Sequence, residues 1–143
     1  EGIFEGSLCI ITPTSNTSEF SLKKIKDFWR FLGSKVIYLS PSQHDRIISY
    51  TSHLVHLIVF SLIDCIPSDY LRISSTGLKD TTRIAASSAK LWQEIFLAND
   101  KNILKSIDFF IKSINKIKNY IKNKDKRNLY KLLSHLKEKR EKL

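Results

Sequence analysis

Along most of the chain, apolar residues recur at intervals of three and four, the repeat of one face of an α-helix. From Glu19 to Leu32 the stripe is Phe20, Ile25, Phe28, Phe31 and Leu32, with Ser18 placed to cap the start and Gly33 to end it. The apolar run Leu8-Cys9-Ile10-Ile11 lies before this helix, and a short strand is predicted after it at Val36 to Leu39. Ser40 and Pro41 read as N-cap and first position of a long buried helix that runs to Ile66, where Pro67 stops it. Residues 68 to 87 predict a short helix, a loop at Ser74-Ser75-Thr76-Gly77, and a turn or two of helix carrying Arg83. A further helix covers Ala89 to Ala98.

The last third of the chain contains a heptad. Ile103, Ile107, Phe110, Ile114, Ile117 and Ile121 are spaced four, three, four, three, four, which sets them on one seam of a long helix. Beyond the polar break Asn123-Lys124-Asp125, a second helix offers Leu129, Leu132, Leu133 and Leu136. Two such stripes joined by a short turn predict an antiparallel hairpin with more apolar face than it can hide alone. Part of that face must pack on the first hundred residues or on another subunit. The expected fold class is all-α.

Composition narrows the function classes. At 143 residues the chain is one domain of ordinary size, long enough to bury a core. Cys9 and Cys65 both sit in apolar runs, which suits reduced core thiols better than a disulfide, and no Cys/His spacing suggests a metal. The purely apolar runs are far shorter than the roughly twenty residues of a membrane span, and no signal peptide or anchor is visible. These features suit a cytoplasmic protein. The net charge of +10 lies almost wholly in the tail: residues 1 to 98 hold ten Lys/Arg against nine Asp/Glu, whereas residues 99 to 143 hold fourteen against five. A basic helix can meet nucleic acid or an anionic membrane. The tail has few aromatics to stack on bases and no nucleic-acid motif, so solvated helix faces are the better reading.

Candidate chemistry concentrates in two places. Gly77-Leu78-Lys79-Asp80-Thr81-Thr82-Arg83-Ile84-Ala85 sets a guanidinium, an ammonium, a carboxylate and hydroxyls beside a glycine. Arg83 offers a planar fork of donors that matches a carboxylate and cannot be titrated away. Asp80, three residues earlier, can hold that fork or simply pair with it. His53 and His56, in Ser52-His53-Leu54-Val55-His56, lie on adjacent positions of one helical face in a segment too apolar for a solvated surface, so their ring nitrogens need partners.

Together, Ile11-Thr12-Pro13-Thr14, Phe28-Trp29, Leu32-Gly33-Ser34-Lys35-Val36, His44-Asp45-Arg46, Ser52-His53-Leu54-Val55-His56, Asp80-Thr81-Thr82-Arg83-Ile84-Ala85 and Trp92-Gln93-Glu94-Ile95-Phe96 resemble, in order and spacing, the prephenate dehydrogenase family of tyrosine biosynthesis. The resemblance runs from Phe4 to about Asn102, and the tail shares only helical character. It implies an NAD- or NADP-dependent oxidative decarboxylation of prephenate, with the dinucleotide domain and its catalytic histidine preceding this chain. No G-x-G-x-x-G exists here, and there is no methionine, so Glu1 reads as a cut inside a longer protein. Residues 1 to 14 are then expected to be the end of the dinucleotide-binding domain and a linker, and residues 15 to 143 a helical substrate-binding and dimerisation domain.

By the same resemblance, Arg83 matches the carboxylate-binding arginine, and His53 and His56 the paired histidines of the substrate side. Lys79 and Gly77 join them, with Asp80, Thr82, Ser52 and Trp92 in support. Gly77 is expected to let a loop backbone approach ligand or a neighbouring subunit. No catalytic, cofactor-binding or metal-binding residue is expected within the chain, and the expected partners are prephenate and a second copy in a homodimer. Val55 stands where the family commonly has proline, and Leu78-Lys79 where it has an aromatic followed by a basic residue. Arogenate dehydrogenase shares every motif quoted, and a non-catalytic interaction module derived from the domain is a further alternative.

Overall fold

A computed structural model describes residues 2 to 143. Strands β1 (Leu8–Ile11) and β2 (Lys35–Tyr38) pair in parallel, with Leu8 opposite Lys35 and Ile11 opposite Tyr38. Parallel strands need a crossover, and helix α1 (Glu19–Phe31) supplies it. The Ser18 hydroxyl caps α1 by accepting the Ser21 N–H at 3.1 Å. At the other end Gly33 N–H reaches the Arg30 carbonyl at 2.9 Å and Ser34 N–H that of Trp29 at 3.0 Å, with Gly33 at φ 88°. A Cβ there would also come within 3.1 Å of the Glu5 Cα, so glycine is required twice over. Trp29 packs edge-on against Phe4 and Phe28, with ring centroids 5.3 and 5.6 Å apart. Helix α1 packs on β2. The strand expected at 36 to 39 sits one residue earlier, because β2 takes its register from Ser7 and Leu8.

Pro41 to Cys65 is one continuous 25-residue helical stretch. A capping box opens it: Ser40 Oγ accepts the Gln43 N–H at 3.2 Å and Gln43 Oε1 accepts the Ser40 N–H at 2.9 Å. Between α2 (Pro41–Ile48) and α3 (Leu54–Cys65) lies a π turn, Ser49–His53, where Leu54 N–H reaches back to the Ser49 carbonyl. One residue added to the coil turns everything beyond it by about 100° relative to an uninterrupted helix. The expected extent is right. Burial is not, since only Ser49 and Val59 of this stretch are fully buried. By length and composition alone it could also cross a bilayer. Here it packs along the α5 turn, the Arg83 turn and the long tail helix described next.

After α4 (Ser68–Leu71), α5 (Thr76–Thr82) runs directly into a 3₁₀ turn, Arg83–Ala86. Gly77 therefore lies inside a helix and not in a loop; a Cβ on it would meet nothing nearer than Ser75 Oγ at 3.9 Å, so no close approach within this chain calls for glycine. Helix α6 (Ala89–Ala98) meets α7 (Asp100–Lys122) at Asn99, and α7 turns into α8 (Lys126–Arg140) to form the C-terminal hairpin. Lys124 takes the left-handed position of that turn, φ 52°, a place usually given to glycine.

The buried apolar side chains among the described residues are Val59, Trp92 and Ile103. The heptad seam starts buried at Ile103 and emerges along α7, with Ile114 47% and Ile121 61% exposed. A groove of about 450 Å³ between α3 and α7 is lined by Leu57, Leu62, Cys65, Phe110 and Ile114, among others, and a second follows Ile114, Ile117 and Ile121. Soluble monomers rarely leave apolar surface this continuous. Cys65 opens on the first groove and Cys9 is half-buried; both are free thiols, but Cys65 is no core residue.

Candidate functional site

The histidine pair is built around an indole. Trp92, on α6 and 7% exposed, stacks on the His56 ring with centroids 3.5 Å apart and planes 22° from parallel. His53 meets the same indole edge-on at 6.2 Å, and the Phe96 ring lies tilted against it at 5.4 Å. The π turn ends at His53, so the two imidazoles straddle its junction with α3. Trp92 thus meets both imidazoles and also fills the core.

Each ring has one nitrogen committed. His56 Nδ1 lies 3.1 Å from the Ser52 carbonyl and must donate to it, so it is the Ser52 backbone that meets the ring. His53 Nδ1 lies 3.3 Å from the Asn99 side-chain nitrogen. Burial is the main cause lowering the His53 pKa below its ordinary value; Asp45 opposes the shift, and His44 and His56 add to it. His53 is therefore neutral near pH 7. Asn99 also donates to the Asp45 carbonyl at 2.8 Å and accepts from Asn102 at 2.8 Å. Sequence reading missed Asn99 and Asn102. A polar residue between two apolar periodic stretches signals only a helix junction, and nothing local shows that its amide reaches back to residues 45 and 53.

The cationic segment sits on the same helix. Both α5 and the 3₁₀ turn with Arg83 pack against α3, which carries His56. Arg83, Lys79 and Asp80 are exposed, and no ion pair joins Asp80 to Arg83 among the described residues. Thr82 Oγ1 donates to the Leu78 carbonyl at 2.8 Å, so its hydroxyl secures α5. Among the described residues, neither Asp80 nor Thr82 bonds to the Arg83 guanidinium. The apolar grooves along α3, α7 and α8 do not take in Arg83, His53 or His56. The turn after β1, residues 12 to 18, contains no glycine.

Fold and site together define a helical domain of the dimerisation class: residues 40–135 match the family model described as prephenate dehydrogenase, dimerization domain. The chain belongs to the prephenate dehydrogenase family, as the resemblance implied. It is 32% identical over 130 residues to a cyclohexadienyl dehydrogenase of Zymomonas mobilis, covering 86% of this chain and 44% of that protein. Identity to a prephenate dehydrogenase of Bacillus subtilis is 32% over 147 residues, covering 99% and 40%. The crystal structure of prephenate dehydrogenase from A. aeolicus in complex with hydroxyphenyl propionate and NAD+ matches with a TM-score of 0.90 and 35% identity, over 99% of this chain and 51% of that one. Synechocystis arogenate dehydrogenase matches with a TM-score of 0.84 over 99% and 54%; at 24% identity this shows the fold alone. The chain spans about half the length of these relatives or less.

Proposed function

We propose that this chain is the carboxy-terminal part of a cytoplasmic NAD(P)-dependent prephenate dehydrogenase, supplying substrate binding and the dimer interface. The whole enzyme would oxidise prephenate at its hydroxyl-bearing ring carbon, pass the hydride to the nicotinamide and release carbon dioxide, leaving 4-hydroxyphenylpyruvate. The observation that carries this reading is an exposed arginine with no carboxylate partner among the described residues, on a turn packed against the helix that holds His56 on Trp92. A dianionic substrate calls for such a fork, and the A. aeolicus relative holds a carboxylate-bearing phenyl compound. We place the domain boundary near residue 39, where the family match begins and after the β-α-β unit closes. A second copy of the chain would cover the α3–α7 groove.

The test uses the full-length enzyme. Arg83→Lys keeps the charge and loses the fork, so the KM for prephenate should rise by an affinity loss of about 1.5 to 3 kcal/mol. An unchanged KM refutes the assignment. Arogenate is the second reading, since arogenate dehydrogenase shares every motif quoted for the resemblance. Turnover of purified enzyme on each acid alone separates the two.

A further inference from the structure

We propose that Asn99 is a positioning residue whose amide holds His53 as the neutral Nε2–H tautomer, so that the pair presents one ring N–H, from His53, and one ring lone pair, from His56. The inference rests on reading the pair as the substrate side of the site. It also names what each ring takes: an acceptor oxygen such as a carboxylate at His53, and a hydroxyl or amine donor at His56.

Asn99 closes α6 and opens α7, but its side chain makes no capping bond to the new helix. Every polar contact of that side chain points elsewhere. Nδ2 donates to the Asp45 carbonyl at 2.8 Å and faces His53 Nδ1 at 3.3 Å, while Oδ1 accepts from Asn102 Nδ2 at 2.8 Å. Turning the amide over would set oxygen against the Asp45 carbonyl and nitrogen against the Asn102 amide, so one orientation survives. An amide N–H cannot accept. The facing His53 nitrogen must therefore carry the lone pair, which leaves its proton on Nε2. At His56 the logic inverts: Nδ1 gives its proton to the Ser52 carbonyl, and Nε2 keeps its lone pair. The two rings are thus held in opposite tautomers by two fixed backbone-anchored partners, one through Asp45 and one at Ser52.

The experiment is ring ¹⁵N NMR of the full-length enzyme labelled at histidine, with the His53 signals assigned by their loss in His53→Gln. The expected wild-type spectrum has an unprotonated Nδ1 and a protonated Nε2 on His53 at pH 8. Asn99→Asp is nearly isosteric and replaces the donor with an acceptor, so the proton should move to Nδ1. With it the KM for prephenate should rise about tenfold, the scale of one hydrogen bond, while kcat changes much less. Asn102→Ala removes one of the two contacts that fix the Asn99 amide but leaves Nδ2 donating to the Asp45 carbonyl, so the His53 proton should stay on Nε2; a proton moved to Nδ1 there would overturn the hold through Asp45. A protonated Nδ1 on wild-type His53, or an unmoved proton in Asn99→Asp, overturns the proposal and leaves the substrate reading untouched. A moved proton with unchanged KM upholds the hold of Asn99 on His53 and overturns the substrate reading instead. Should Asn99→Asp fail to fold, the wild-type spectrum decides.

Discussion

If Trp92 is the platform for the histidine pair, its contact with His56 must carry energy that neither residue supplies alone. An aromatic side chain buries 150–250 Å², worth roughly 4 to 6 kcal/mol at about 25 cal/mol per Å². Trp92 is nearly fully enclosed, so most of that applies. Leucine in its place recovers about 2 to 3 kcal/mol, leaving a net loss of roughly 2 to 3 for Trp92→Leu. The informative number is the coupling to His56→Ala. Rings stacked with centroids 3.5 Å apart should couple by about 0.5 to 1.5 kcal/mol beyond area burial. Urea unfolding of the full-length enzyme and the two single and one double variants at pH 8, followed by circular dichroism, measures it. Additivity within about 0.3 kcal/mol would mean that the stack is not held in solution, and the platform reading would fall.

The proposed subunit interface predicts that Ile114→Asp dissociates the dimer, because a carboxylate placed where the two apolar grooves meet loses its hydration on association. Sedimentation as an unaltered dimer would place that surface outside the interface. The lowered His53 pKa predicts a pH effect with a definite sign. The unfolded chain binds the His53 proton more readily than the folded one, so the stabilisation is complete above the unfolded value of 6.5 and is lost as pH falls below it toward the folded pKa. Urea midpoints at pH 7.5 and 5.5 should therefore differ more in the wild type than in His53→Gln. Asp45→Asn removes the group that opposes the shift and should widen the difference; an equal difference in all three would refute the assignment.

Helix positions were legible because they depend on neighbours three and four residues apart. Ser18, Ser40 and Gly33 mark ends that the backbone itself demands, and the heptad from Ile103 to Ile121 fixes the long tail helix and the face it exposes. The chemical types at the site were legible too, since a guanidinium next to hydroxyls and two imidazoles one turn apart are properties of composition and spacing. Three features were left for the tertiary structure to decide. Parallel pairing of β1 with β2 joins residues some 27 apart, with α1 as the crossover between them. The π turn at Ser49–His53 has no residue signature and re-aims the histidines. Asn99 reaches residues 54 and 46 positions earlier in the chain, a contact that exists only once α6 has folded back against the π turn. Short-range periodicity records which face of an element is apolar; it carries no record of what that face meets, because burial and hydrogen-bond partners are set by segments distant in sequence.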